Sequence, residues 1–245
     1  MNLNSKLTIV VPCYNEVGAI PNFIAEALEF SNDFRIAFPE IILNILFVDN
    51  NSTDMSHATL NDMTQKYPDL FRLTRCSIQG YGAALKHGFS EAARDSQYLG
   101  FLDLDDTYPI KEFSSILKKT VNESFDIVYG VRLHKTSKIE FTRYFGNFLY
   151  VFLLRILTGS TLSDACSGMR IFKSGKVSEV CSLLRNDLAF SIEFTAHAVV
   201  NKWKIGEYPI PYRDRIGSSK LNIFYDGYTF LLTLLRTVAG SKNSK

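Results

Sequence analysis

The strongest constraint on the fold is an alternation along the first 132 residues. Short apolar runs end in polar turns, and stretches of helical period follow them. Leu7-Thr8-Ile9-Val10-Val11-Pro12 shows no in-out alternation, the mark of a strand covered on both faces, as in a parallel sheet. Pro12 is expected to stop it and Asn15 to cap the next helix. In that helix Ile20, Phe23, Ile24, Ala27, Leu28 and Phe30 recur with a helical period. The pattern returns as a strand at Ile41–Val48 with a helix to about Lys66, and a strand at Phe71–Thr74 with a helix to Arg94. A strand at Gln97–Leu102 precedes a helix opened by Pro109 and running to about Lys119, and Asp126–Arg132 reads as a fifth strand. Strands joined by helical crossovers predict an α/β fold: a Rossmann-like, mostly parallel central sheet flanked by helices.

Beyond residue 132 the pattern changes. Phe141–Leu157 is apolar almost all round between Phe148 and Leu154, which suits a core helix or one lying at a membrane surface. Phe190–Asn201 reads as a helix carrying Glu193, and Lys204–Pro211 as an edge strand bounded by prolines. In the last helix, Leu221–Val238, Asn222, Asp226, Thr229, Thr233 and Arg236 draw a narrow polar stripe on an apolar cylinder. A short basic tail, Ser241–Lys245, suits an anionic leaflet. We therefore divide the chain into residues 1–220 and a terminal helix with its tail, 221–245.

Composition excludes several classes. With 46% hydrophobic residues in 245, the chain can bury a core and disorder is not expected. A net charge of +2 argues against a dedicated nucleic-acid binder. Cys13, Cys76, Cys166 and Cys181 form no C-x-x-C pair, and His57, His87, His134 and His197 lack ligand spacing, which argues against zinc. No apolar run is long enough to cross a bilayer. The polar start, Met1–Lys6, leads us to expect a cytoplasmic protein with reduced thiols.

Open parallel sheets bind ligands outside the carboxyl ends of their strands, and candidate residues stand at successive ends here. Glu16 follows the first strand and Asp49 ends the second, where an acid commonly holds a nucleoside. Asp49 also suits an Asx turn, and Ser52 or Asp54 a helix cap. Gly80 and Gly82 enter a helix through small residues, allowing backbone to approach a ligand closely. Asp103, Asp105 and Asp106 crowd the end of the fourth strand, a repulsive arrangement unless a cation or ordered donors intervene. Mg2+ or Mn2+ takes such oxygens, typically one or two carboxylates plus substrate phosphates. Arg213-Asp214-Arg215 and Lys220 frame a loop suited to gripping phosphate, and Asp164 and Arg170 stand close enough in sequence to pair with each other.

The motifs VVPCYNE (10–16), FVDNNSTD (47–54), GYGAALKHGF (80–89), LDLDD (102–106), DIVYGVR (126–132), SDACSGMRIF (163–172) and PYRDRIGSSKL (211–221) together resemble family-2 glycosyltransferases of the GT-A fold. Within them the chain looks like the polyprenyl-phosphate sugar synthases, and the resemblance runs from about Leu7 to Leu221. It implies that Pro12, Tyr14, Glu16 and Asp49 hold the donor's nucleoside, with Gly80 at the same site. It implies that Asp103 and Asp105 carry Mg2+ or Mn2+ on the donor diphosphate. Arg132, Arg143, Arg215 and Lys220 match basic residues that meet the acceptor phosphate or the diphosphate, and Ser167 to Arg170 match a loop near the acceptor. Two departures stand out: Asn50 and Asn51 follow Asp49 where a second acid is common, and Thr107 stands where the branch often has Gln, which leaves Asp106 as a substitute ligand.

The implied reaction is inverting transfer of a sugar from a GDP- or UDP-linked donor to a polyprenyl or dolichyl phosphate, by a protein at the inner membrane face. An anionic phosphate acceptor requires no strong base. A saccharide acceptor, as in an enzyme extending a surface polysaccharide, would need one, with Asp164 or Glu193 as candidates. A nucleotide-sugar-binding module without catalysis is the third reading.

Overall fold

A computed structural model describes residues 5–132, 141–217 and 221–242. The elements in chain order are β1 (Ser5–Cys13), α1 (Ile20–Ala37), β2 (Ile41–Asp49), α2 (Ser56–Lys66), β3 (Phe71–Arg75), α3 (Tyr81–Ala92), β4 (Tyr98–Phe101) and α4 (Glu112–Asn122). There follow β5 (Ile127–Val131), α5 (Phe141–Thr158), β6 (Arg170–Lys173), α6 (Ser174–Val180), α7 (Phe190–Val200), β7 (Ile205–Pro209) and α8 (Ile223–Lys242).

The strands form one seven-stranded sheet in the order β3-β2-β1-β4-β6-β5-β7. All neighbours are parallel except β6, which runs antiparallel between β4 and β5. Two details differ from expectation. Pro12 does not stop the first strand, which continues to Cys13 opposite Asp49. Pro109 opens a turn, and α4 starts three residues later at Glu112.

The parallel register positions the site. Cys13 lies opposite Asp49, and Val10 opposite Phe101. The turns that follow β1, β2 and β4 therefore leave the sheet on one edge. Leu7, Ile9 and Val11 point into a core beneath α1 and α4, whereas Val10, Leu46 and Val48 point into a second core beneath α3 and α7. That two-sided burial is why these strands lack polar alternation. A third cluster joins Tyr150 and Leu154 of α5, Ile192 and Ala196 of α7, and Phe230, Leu234 and Val238 of α8. The polar stripe anticipated on α8 is divided: Asn222 and Arg236 are exposed and Thr233 is buried, while Tyr225 and Tyr228 are exposed beside it. Among the described residues, no helix is long and apolar enough to cross a membrane.

Candidate active site

Loops from separate β-α units are laced together at the sheet edge. Asn15, at φ 54°, does not cap α1, which begins at Ile20. Its backbone N–H donates to Ser52 Oγ at 3.1 Å, and its side-chain oxygen accepts the Thr53 N–H at 2.8 Å. Glu16 N–H donates to Ser56 Oγ at 3.0 Å. Asp54 Oδ1 accepts the Ser56 N–H at the start of α2. The turn carrying Tyr14 and Glu16 is thus held against the turn that follows β2.

A cavity of about 540 Å³ opens there; its lining includes Pro12, Tyr14, Glu16, Asn50 and Gly80, together with Asp103, Asp105 and Arg215. The lining also includes Arg132, with Arg143, Asn147 and Tyr150 of α5, and Asp226 and Phe230 of α8. Of the residues expected at a site, Pro12, Tyr14, Glu16, Gly80, Asp103, Asp105, Arg132, Arg143 and Arg215 meet in this one space. Lys220 lies outside the described residues.

Asp49, Ser167 and Arg170 are not on the wall. Asp49 is fully buried beside Asn50; its Oδ1 accepts the N–H of Ser52, three residues on, and its Oδ2 stands 3.2 Å from His57 Nδ1 and 3.4 Å from Arg75 Nε. Asn50 takes the lining position, braced by bonds to the Cys76 and Ile78 carbonyls and by the Gly80 N–H donated to its Oδ1 at 2.7 Å. Ser167 is buried and donates its hydroxyl to the Gly130 carbonyl. Arg170 is fully buried among the rings of Phe101, Tyr129 and Phe194 and donates to the carbonyls of Ser167 and Ser191. It cannot reach an acceptor; it is a bolt under the 163–168 loop. The Asp164–Arg170 pair is also absent, since Asp164 is chelated by Arg132 through two bonds of 2.8 Å.

Gly80 lines the cavity, and Gly80 and Gly82 also permit a second close approach. A Cβ on Gly82 would stand 2.3 Å from the Arg185 carbonyl oxygen, and one on Gly80, at φ +136°, 2.2 Å from that of Asn186. The close approach is to the chain's own backbone ahead of α7, and it brings Asp187 and Leu188 to the cavity wall.

The two acids are held differently. Asp103 Oδ1 accepts the Tyr81 hydroxyl at 2.9 Å. Burial first, and then the neighbouring Asp105 charge, push its pKa from 3.8 up to about 7. Asp105 is buried; its Oδ1 accepts the Thr107 N–H at 3.1 Å and hydroxyl at 2.5 Å. Asp106, at φ 67°, turns away to Asn22 and Arg213, so it does not replace the missing Gln as a ligand. Burial alone would raise Asp164, but the Arg132 guanidinium holds its carboxyl below the usual range.

These residues fit a hard divalent cation. Asp105 Oδ2 is buried without a hydrogen bond, and Asp103 crowds it with a second carboxylate. Two carboxylates suffice where substrate phosphates supply further oxygens. Among the described residues no group of three or more His, Cys, Asp or Glu could hold a metal on side chains alone. Residues at the site to which the sequence assigned no role are Tyr81, Tyr108, Asn147 and Asp187, and Asn50, noted there only as a departure. Tyr108 accepts the Gly168 N–H at 2.7 Å, and Asn147 accepts the Ala165 N–H at 3.0 Å, so both hold the 163–168 loop.

An α/β sheet whose strand ends gather paired acids and arginines around one cavity defines a transferase-like site for a charged, phosphate-bearing ligand. Residues 8–181 match the family model described as glycosyl transferase family 2, and the chain belongs to that family. It is 30% identical over 222 residues to a dolichyl-phosphate hexose transferase of Haloferax volcanii, covering 90% of this chain and 89% of the relative. It is 26% identical over 253 residues to a human dolichyl-phosphate beta-glucosyltransferase, covering 96% of this chain and 77% of the relative. A crystal structure of glucosyl-3-phosphoglycerate synthase from Mycobacterium tuberculosis, with Mn2+, UDP-glucose and phosphoglyceric acid, superposes with a TM-score of 0.72 at 14% identity. The likeness covers 96% of this chain and 80% of that one, and supports the GT-A fold.

Proposed function

We propose that the protein transfers a hexose from a GDP- or UDP-linked donor to a polyprenyl phosphate at the inner face of the membrane. The observation that carries this reading is the polarity of the cavity. Paired acids line it, with Arg215 against Asp105 and Arg132 and Arg215 acting on Asp103, and Arg143 with other residues of α5 and α8 lines the same space. On its other side α5 exposes Tyr144, Phe145, Phe148, Phe152 and Ile156. A ligand with an anionic head and a hydrocarbon tail matches that sequence of surfaces. The dolichyl-phosphate specificity of the relatives supports the same class of acceptor.

Asp103 and Asp105 would hold Mg2+ or Mn2+ against the donor diphosphate, where the ion supplies charge neutralisation for the leaving group. Pro12, Tyr14, Glu16, Asn50 and Gly80 form the end suited to the nucleoside, with Asp49 setting the turn behind them. Arg215 and Arg143 offset phosphate charge, and Arg132, oriented by Asp164, serves the acceptor. The acceptor phosphate attacks as an anion, so no side chain need take a proton. A saccharide acceptor would need a base. Asp164 is held by Arg132, and Glu193 lies off the cavity wall with its carboxylate accepting the Arg185 N–H at 2.6 Å.

The test is a panel of nucleotide sugars against polyprenyl phosphate in vesicles, with and without Mn2+ or Mg2+. Sugar transfer to the lipid phosphate that depends on the cation is expected. Turnover confined to saccharide acceptors would overturn the reading.

A further inference from the structure

We infer that Arg215 is an internal counterion for Asp105, standing where the divalent cation binds, so that cation binding requires the guanidinium to withdraw toward the donor's phosphates. This rests on the reading of Asp103 and Asp105 as the cation site, and adds a competitor built into the chain. Arg215 Nη2 stands 2.5 Å from Asp105 Oδ2, with the two side chains 25% and 3% exposed. The contact is close but poorly aligned: neither Asp105 Oδ2 nor Arg215 Nε makes a hydrogen bond, although both are buried. A structural ion pair normally satisfies such atoms through a parallel, two-bond arrangement. Arg132, on the wall of the same cavity, grips Asp164 in that way, at 2.8 Å on both bonds. Within one site, then, one arginine is locked on its carboxylate and the other only rests on its own.

The backbone explains how Arg215 can leave without unfolding its loop. Ile216 N–H donates to the Asp105 carbonyl at 2.9 Å, and Arg213 N–H to the Thr107 carbonyl at 3.0 Å. Besides the Arg213–Asp106 ion pair, the segment 213–216 is strapped to the turn 105–107 through main chain. Arg213 is anchored elsewhere, on Glu26 and Asp106. The Arg215 side chain is therefore delivered to the acids by a fixed backbone, and on this proposal it changes rotamer when the cation binds. Withdrawal exposes both acids to a cation while keeping the positive charge beside the diphosphate.

The consequence has an unusual sign: removing a residue of the site should strengthen binding of one ligand. An opposite charge at this range changes a carboxylate's affinity for a cation such as a proton by about one to three powers of ten, and a partly exposed, misaligned guanidinium belongs at the low end. Mn2+ binding to the full-length protein, measured without nucleotide by electron paramagnetic resonance of the free ion, should be about tenfold tighter in Arg215→Ala than in wild type. Arg215→Lys should stay near wild type, because the charge remains. Arg213→Ala removes an equal charge from the same segment and should leave Mn2+ affinity unchanged. UDP or GDP binding in the absence of metal should weaken in Arg215→Ala, since the guanidinium no longer meets the diphosphate. Circular dichroism checks that each variant is folded. Unchanged or weaker Mn2+ binding by folded Arg215→Ala would overturn the proposal, as would equal tightening in Arg213→Ala. Asp105→Ala separates the two layers: if wild type binds Mn2+ and this variant binds it equally well, the cation site itself is misplaced. Absence of Mn2+ binding from both wild type and folded Arg215→Ala overturns both.

Discussion

Replacing Asp103 with asparagine should make the free protein more stable and the enzyme inactive. The folded site raises the Asp103 carboxyl from 3.8 to about 7 through burial and the Asp105 charge. Ionising it in the folded state therefore costs about 4 kcal/mol, at about 1.4 kcal/mol per pKa unit. The side chain opens on the cavity, and water there screens it, so we take about half, about 2 kcal/mol. The sign follows from linkage. Below pH 3.8 the group is protonated in both states and its contribution is fully present. As pH rises toward 7 the unfolded chain gives up the proton while the folded chain keeps it, and stability is lost across that window. The substituted amide would not titrate, and its carbonyl oxygen can still accept the Tyr81 hydroxyl. The gain over wild type should be near zero at about pH 4 and grow to a plateau above about pH 7. For a chain of 245 residues, about 2 kcal/mol corresponds to about 4–8 °C in Tm. Thermal melts at about pH 4, 6 and 8, without metal or nucleotide, measure it, and turnover on the same samples should be abolished. A variant no more stable than wild type at the highest pH, or a gain that does not vary with pH, would refute the account of the acidic pair.

Three further outcomes follow from the same geometry. Asp164→Ala leaves the Arg132 guanidinium, 11% exposed, without its carboxylate and should cost about 3–5 kcal/mol. Because the folded Asp164 pKa is depressed, the wild-type advantage in denaturant melts should be present at neutral pH and shrink as pH falls below the usual carboxylate range. Gly82→Ala drives a Cβ to 2.3 Å from the Arg185 carbonyl and should destabilise by about 1–3 kcal/mol; an unchanged Tm would show that α3 and the 185–187 segment are less tightly apposed than described. The double change Phe148→Glu and Phe152→Glu alters two exposed, stacked rings on α5 and should leave Tm unchanged while abolishing co-sedimentation with anionic vesicles. Retained vesicle binding would remove α5 from the membrane reading.

The strands before residue 132 were legible because two-sided burial leaves an unbroken apolar run, as in Leu7 to Val11. The acids after the fourth strand were legible because like charges at a strand end need an outside explanation. Less visible was β6, a four-residue strand at Arg170–Lys173 whose antiparallel slot between β4 and β5 comes from long-range pairing. With β6 in place, Arg170 is drawn beneath three aromatic rings, and the local pairing with Asp164 gives way to Arg132. Asn15 reads locally as a cap for its own helix, yet it bonds across 38 positions to Thr53, which helical period cannot foretell. Asn147 lies in no motif, and Asn50 and Tyr81 lie inside motifs that give them no role; all three act by bridging segments that meet only in three dimensions.

Local chemistry along the chain thus settles which segments become buried strands, which turns carry acids and which helices hold an apolar face. These are properties of neighbours a few residues apart, where periodicity and charge spacing are direct physical signals. Folding chooses among partners that local pattern leaves equivalent. It commits Arg132 to Asp164, rests Arg215 on Asp105 and hides Arg170, because a guanidinium's role depends on which carboxylate and how much water surround it.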